Sequence, residues 1–350
     1  MGEDERPSRA DAYASAGVDI AAGNLAVQRY RDVTSGWTHP DQLGALGGFS
    51  GLFRLPGDSR RALVGSTDGV GTKILIAAAL RRYDTVGGDL VNHCVNDIVV
   101  TGADPLFFLD YLAVGKLDPE VAAQVVAGVH AACRANACAL LGGETAEMPG
   151  VYRPEHFDLA GTIVGVVDLD AVPDPNRVAA GDAIVGLPAV GLHTNGYTLA
   201  RALIPESEYA APFGSGTYAD ALLAPHPSYL DPVRAIRRVA DVKSMAHITG
   251  GGLLENVPRT LPENAAAVFE QSRWEVPAIM AELVARGNLS HEERYRTLNM
   301  GVGYTLIVPI TDVDKALAAA PDARVVGFVQ PRAPGEAQVI VRPARTAPAA

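Results

Sequence analysis

Cysteine is scarce: Cys94, Cys133 and Cys138 are the only three, an odd number without a Cys-x-x-Cys pair. Neither a disulfide framework nor a thiolate zinc site is therefore expected, and a reducing cytoplasm fits. Long apolar runs are missing, since nothing approaches the roughly 18 residues of a membrane span. The opening Met1-Gly-Glu-Asp-Glu-Arg-Pro lacks the basic start and apolar stretch of a signal peptide. A soluble, unexported protein with no membrane partner is expected. Positive charge is also in deficit, with 29 Lys and Arg against 40 Asp and Glu and a formal charge of −11. Such a surface repels a phosphate backbone, which excludes nucleic acid as a partner.

What is present describes a globular chain: 48% hydrophobic and 20% charged residues, far from the disordered corner. A length of 350 residues favours two domains. Hydrophobic periodicity alternates strands with helices, the pattern of an α/β or α+β fold. Strands are predicted at 62–67, 106–114, 137–141, 159–167, 183–187, 304–309, 325–329 and 338–341. Helices are predicted at 72–82, 85–100, 119–134, 195–204, 232–239, 277–286 and 311–319. The stretch 171–181, with two prolines and a polar cluster, reads as the linker between domains 1–170 and 171–350. Residues 1–11 and 344–350 read as loose tails.

Six segments carry groups suited to chemistry. Gly65-Ser-Thr-Asp68-Gly69-Val-Gly71-Thr72-Lys73 lies where a strand gives way to a helix, a junction that offers backbone N–H groups to phosphate. It is neither a Walker A loop nor a complete dinucleotide fingerprint. Asp68 either holds a metal or stabilises the glycine turn. In the helix that follows, Asp89, Asn92, His93, Asn96 and Asp97 share one face, opposite Leu90, Val91, Cys94, Val95, Ile98 and Val99. Short hydrogen-bonding side chains cost helix propensity, so this face reads as a site lining rather than a solvated surface. Leu141-Gly142-Gly143-Glu144-Thr145 follows a predicted strand, which would project Glu144 from a strand end. Asp68, Asp97 and Glu144 together are the oxygen ligand set that Mg²⁺ prefers beside nucleotide phosphates. Glu147, next to a Pro-Gly turn, reads as structural.

In the second half, His193 sits in a turn suited to proton transfer, with Thr194 placed to cap the next helix. His247-Ile-Thr249-Gly250-Gly251-Gly252 is a triple-glycine turn able to open a helix and receive a phosphate. The glycine-dense stretch around Gly44, Gly47, Gly48 and Gly51 is able to fold over phosphates as a lid.

Taken in order, these motifs resemble the phosphoribosylformylglycinamidine cyclo-ligase family, also called aminoimidazole ribonucleotide synthetases. The resemblance starts at Tyr13-Ala-Ser-Ala-Gly-Val-Asp-Ile-Ala-Ala-Gly-Asn24 and continues through Leu46-Gly-Gly-Phe-Ser-Gly51, Ser66-Thr-Asp-Gly-Val-Gly-Thr-Lys73 and Cys94-Val-Asn-Asp97. Pro105-Leu-Phe-Phe-Leu-Asp-Tyr111, Gly142-Gly-Glu-Thr-Ala-Glu-Met-Pro-Gly150, His193-Thr-Asn-Gly196, Thr249-Gly-Gly-Gly252 and Tyr295-Arg-Thr-Leu-Asn-Met-Gly-Val-Gly303 complete it. Gly-Glu-Thr-Ala-Glu-Met-Pro-Gly separates this family from selenophosphate synthetase and thiamine-monophosphate kinase, which share the looser patterns. The resemblance implies two α/β domains, each a mixed sheet flanked by helices, and a homodimer whose N-terminal sheets pair into a central barrel. It implies an ATP-dependent ring closure of formylglycinamidine ribonucleotide to aminoimidazole ribonucleotide, with ADP and phosphate released. On this analogy Asp68, Asp97 and Glu144 hold Mg²⁺. Gly47, Gly48, Gly69, Gly71, Thr72, Asn96 and Gly143 lie along the ATP. Lys73 neutralises phosphate, His193 binds the amide oxygen or moves a proton, and Asn195 with Thr249, Gly250, Gly251 and Gly252 binds the substrate's ribose phosphate. A thiamine-monophosphate kinase-like enzyme and a non-catalytic nucleotide-binding partner protein are the alternatives.

Overall fold

The computed structural model describes residues 20–44 and 47–344, together with Gly17. Residues 13–16, 18–19 and 46 of the family segments, and the expected tails apart from Ala344, lie outside the described residues. The first sheet contains β1 (Gln42–Leu43), β2 (Gly51–Arg54), β3 (Arg61–Gly69), β4 (Asp104–Val114), β5 (Ala139–Glu147) and β6 (Phe157–Asp168), in the order β1-β2-β3-β6-β4-β5. All neighbours are antiparallel except β4 and β5. A parallel pair needs a long crossover, here a helix over Pro119–Ala135. That helix starts where Asp118 accepts the N–H groups of Glu120 and Val121, with Pro119 in its first turn.

Eleven helices are described: α1 (Ile20–Thr34), α2 (Lys73–Leu80), α3 (Val86–Val99), α4 (Pro119–Ala135), α5 (Tyr197–Leu203), α6 (Tyr218–Leu222), α7 (Leu230–Arg237), α8 (Gly252–Asn256), α9 (Ala278–Gly287), α10 (His291–Thr297) and α11 (Val313–Ala319). β6 alternates between buried and half-buried residues up to Val167, and its buried side lies under α3. Gly161 is on that side, where a Cβ would come within 2.2 Å of the Phe108 ring and 3.1 Å of Leu90. On the opposite face, which no helix covers among the described residues, Leu109 and Tyr111 are each 40% exposed, and Leu141 on edge strand β5 is 63% exposed.

Two single-turn 3-10 helices, Leu169–Ala171 and Pro175–Arg177, lead into the second sheet. Its strands are β7 (Ala183–Pro188), β10 (Ser244–His247), β11 (Ala265–Glu270), β12 (Val302–Val308), β13 (Arg324–Pro331) and β14 (Val339–Arg342), in the order β10-β12-β7-β13-β11-β14. Only β11 and β14 run parallel. Strands β8 (Pro212–Phe213) and β9 (Gly216–Thr217) form a separate small hairpin. Every residue of β12 is buried, as a central strand covered on both faces requires.

The expected α/β architecture of two mixed sheets with flanking helices is present, with two local differences that bear on the site. Gly142, Gly143 and Glu144 do not follow a strand, because β5 continues through Glu147 by pairing with β4. Thr194 does not cap a helix: α5 starts at Tyr197 behind Gly196, and the Thr194 hydroxyl has another partner.

Candidate active site

The two domains meet along the polar face of α3. Its apolar face lies under the first sheet, while Asp89, His93, Asn96 and Asp97 are buried against the second domain. The face is thus neither solvated nor wholly a ligand lining. Residues 224–229, Ala-Pro-His-Pro-Ser-Tyr, lie along it with their backbone groups paired by side chains of the first domain. Asp89 Oδ1 accepts the His226 N–H at 2.7 Å, and Asn92 Nδ2 donates to the His226 carbonyl at 2.8 Å. Asn96 Nδ2 donates to the Pro227 carbonyl at 2.9 Å, while its Oδ1 accepts the Tyr229 N–H at 2.7 Å. Asn96, expected beside ATP, is therefore used in joining the domains.

Lys73 is also diverted. Its ammonium is fully buried, 2.6 Å from Asp89 Oδ2, and donates to the carbonyls of Ala224 at 2.8 Å and His193 at 3.3 Å. Burial pushes the lysine down and Asp89 up, while their mutual attraction opposes both shifts. A lysine with three buried partners in the protein is not available to neutralise a phosphate, so the expected role is not the one its contacts describe.

Two carboxylate–imidazole pairs stand at the seam. His93 Nε2 is 2.7 Å from Asp68 Oδ2, and its Nδ1 donates to Thr194 Oγ at 2.6 Å. Burial pushes His93 down, but the Asp68 carboxylate outweighs it and raises the ring to about 9, so it is an imidazolium at neutral pH. Asp68 is in turn held below the usual carboxylate range: burial opposes this, and His93 outweighs burial. The Asp68 side chain is 40% exposed. Asp97 Oδ1 is 2.8 Å from His247 Nδ1, and its Oδ2 accepts from Ser66 Oγ at 3.2 Å. His247, His226 and His193 are all pushed down by burial, which leaves them neutral.

His193 adopts a left-handed backbone, φ +63°, and stacks on His226 with ring centroids 4.1 Å apart. Its Nε2 is 3.2 Å from Tyr229 Oη. Its buried Nδ1 has no hydrogen-bond partner among the described residues. An imidazole held neutral, with one nitrogen uncommitted, is equipped to bind or transfer a proton.

The glycine motifs surround this cluster unevenly. Gly71 lies against the Thr194 carbonyl, while Thr72 Oγ meets Thr198 Oγ at 3.1 Å, another contact between domains. Gly69 closes β3, and its N–H donates to Asp68 Oδ1 at 2.7 Å. Asn195 lies beside Gly250, whose Cβ would be 3.1 Å from its Oδ1. Asn256 Nδ2 holds the carbonyls of Thr249, Gly250 and Gly252, and Gly251 and Gly252 take positive φ. Asn195, Thr249 and the three glycines are thus together. Gly47 and Gly48 line a cleft of about 590 Å³ with Phe49, Ser66 and Thr67, and the Arg259 guanidinium lies 5.2 Å over the Phe49 ring.

Glu144 does not join Asp68 and Asp97. Paired registers run from Asp68 through Gly161 and Asp110 to Gly143, so three strand spacings, about 14 Å, separate β3 from β5. Asp68 shares the helix-covered face with Gly161, while Glu144 pairs with exposed Tyr111 on the other face. The expected three-carboxylate metal site therefore does not assemble within one chain. Gly143 is required by β4, since its Cβ would fall 2.1 Å from the Asp110 carbonyl. Glu147 is structural as expected, accepting the Leu117 N–H at 2.8 Å.

His226 escaped sequence reasoning entirely. Its flanking prolines were the available signal, since they remove two backbone donors and leave a segment that must find side-chain partners. Lys73 pairing with Asp89 had no local signal, because the partners lie on different helices.

Residues 48–167 match the family model "AIR synthase related protein, N-terminal domain", and residues 179–340 match "AIR synthase related protein, C-terminal domain". A phosphoribosylformylglycinamidine cyclo-ligase of Methylobacillus flagellatus is 46% identical over 336 residues, covering 94% of this chain and 97% of the relative. Among solved structures, hydrogenase maturation protein HypE in complex with ATP aligns with TM-score 0.60 at 20% identity, over 93% of this chain and 92% of that one. A thiamine-monophosphate kinase from Stenotrophomonas maltophilia aligns with TM-score 0.59 at 17% identity, over 89% and 93%. At these identities the kinase and HypE share the fold alone, whereas the match to the cyclo-ligase runs almost end to end. The chain belongs to the phosphoribosylformylglycinamidine cyclo-ligase family.

Proposed function

We propose that this enzyme closes the imidazole ring of aminoimidazole ribonucleotide in purine biosynthesis, using formylglycinamidine ribonucleotide and ATP and releasing ADP and phosphate. The observation that carries the reading is the convergence of Asp68–His93–Thr194 and Asp97–His247 at the domain seam beside the glycine turns. ATP phosphorylates the formyl amide oxygen, and the amidine nitrogen then attacks the activated carbon with loss of phosphate. Such chemistry needs positioning and charge control rather than a strong nucleophile. Neutral His193, with its uncommitted Nδ1, takes or gives the proton at the amide. Asn195 and Thr249–Gly252 receive the ribose phosphate, and Gly47, Gly48, Gly69 and Gly71 lie along the ATP.

The donor set fits Mg²⁺, which is held by one or two carboxylates together with substrate phosphates. Asp68 and Asp97 present hard oxygens at the seam, and the Asp68 side chain is 40% exposed. Bound there, the ion would neutralise phosphate charge. Glu144 would reach such a site only from a second subunit. A homodimer that covers the helix-free sheet face fits the exposure of Leu109, Tyr111 and Leu141. On this reading residues 1–170 carry ATP, Mg²⁺ and the dimer contact, residues 171–350 complete the cleft, and the enzyme works in the cytoplasm. Incubating purified protein with Mg²⁺, ATP and formylglycinamidine ribonucleotide should yield ADP and aminoimidazole ribonucleotide in equal amounts. Substrate-independent ADP release, or none, would end the proposal.

A further inference from the structure

Lys73 and Asp89 lie outside the cleft yet hold both histidine loops of the second domain. The lysine has three N–H donors and three buried acceptors: Asp89 Oδ2, the His193 carbonyl and the Ala224 carbonyl. Asp89 spends its other oxygen on the His226 N–H. His226 then stacks on His193, and Tyr229, whose N–H is held by Asn96, places its hydroxyl on His193 Nε2. The two side chains that touch the His193 ring face and Nε2, His226 and Tyr229, are therefore both anchored by side chains of the first domain. A buried ion pair is a costly way to hold two domains together, since apolar residues of similar volume would serve stability as well. What apolar residues cannot supply is three directed hydrogen bonds to backbone groups of separate loops. His193 also holds a left-handed backbone, φ +63°, a conformation that persists only where the surroundings impose it.

We propose that Lys73 and Asp89 are positioning residues: from the first domain they lock the His193 carbonyl and the 224–229 segment, and so set the His193 ring for turnover. The proposal rests on the reading that His193 acts in the reaction. Because K73M alone leaves Asp89 buried and unpaired and is liable not to fold, the informative variant is K73M/D89N. It removes both charges while the Asn oxygen still accepts from the His226 N–H.

In the full-length enzyme, K73M/D89N should lower kcat at least about tenfold while the KM for each substrate stays within about threefold. Amide exchange should quicken in peptides covering 191–196 and 222–229 and stay unchanged in β4 and β6. In an H193A background the same double substitution should cost less than about threefold, since the ring it positions is gone. A loss confined to the KM for ATP would make Lys73 a phosphate ligand and overturn the proposal, as would unchanged exchange in both loops or an undiminished loss in H193A. Wild-type kcat in H193A alone would remove His193 from the reaction, and the exchange measurement would still decide whether the pair holds the loops.

Discussion

Replacing Asp68 with Asn should discharge His93. The ring rises from 6.5 to about 9 against its own burial, because Asp68 Oδ2 lies 2.7 Å from Nε2. That rise corresponds to about 3 kcal/mol of preference for the charged ring. The Asp68 side chain is 40% exposed, so water screens its share, and about 1–2 kcal/mol of folding stability is the realistic contribution. A histidine whose folded pKa is raised contributes fully below its unfolded value near 6.5 and loses that contribution as pH climbs through about 9. The deficit of Asp68→Asn relative to the parent protein should therefore be largest near pH 6, shrink between pH 7 and 9, and vanish above. The assay is an imidazole NMR titration of His93 paired with urea unfolding at several pH values, in chelator so that no metal competes for Asp68. In the variant burial is opposed only by the more distant Asp97 and Asp89 carboxylates, so the ring should titrate well below the parent's value of about 9. A parent His93 that titrates at or below 6.5, or a stability deficit that does not change with pH, would refute the electrostatic account of this pair.

Further outcomes follow from other contacts. Asp97→Asn removes a seam carboxylate charge while its amide oxygen still accepts from His247; turnover should fall about a hundredfold or more with an unchanged melting curve, and turnover within threefold of normal at limiting Mg²⁺ would take Asp97 out of the site. Gly303→Ala would place a Cβ 1.8 Å from Tyr229 Oη and 2.6 Å from His193 Cε1. It should cost about 1–3 kcal/mol in denaturant unfolding and slow turnover, whereas parent-like values of both would contradict the packing around His193. Coexpressed Asp68→Asn and Glu144→Gln chains should regain activity that neither has alone, because a hybrid dimer would contain one intact site. Lack of recovery, or a stable monomer in sedimentation at assay concentration, would sink the idea that Glu144 acts across a dimer.

Much of the fold was legible because its signals are local. The α3 stripe of Leu90, Val91, Cys94, Val95, Ile98 and Val99 repeats at helical spacing, and Asp118-Pro119 marks the start of α4. β10 and β12 show the limit. Residues 302–303 precede the predicted strand start at 304 and lie in β12, while β10 is a four-residue strand that was not predicted at all. Its residues, Ser-Met-Ala-His, carry neither alternation nor a β-branched run, and pairing with β12 is what makes them a strand. At the site, Asp68, Asp97, His193 and the 249–252 turn were readable from residue type and motif order. The roles of Lys73, Asn96 and Thr194 were not, since each is set by a backbone or side-chain group more than a hundred residues away.

By itself, then, the sequence determined which chemical groups this protein has to work with, where its most strongly patterned elements lie, and which family it resembles. These follow from periodicity, capping and motif order, all of which are written over short spans of chain. Only the tertiary structure decided how those groups are allotted. Domain docking buries the polar face of α3, and burial forces every polar group there to take a partner. Lys73 and Asn96 are consumed by the second domain's backbone, Asp68 and Asp97 remain at the seam, and strand register with its alternation of side chains puts Glu144 on the sheet's opposite face.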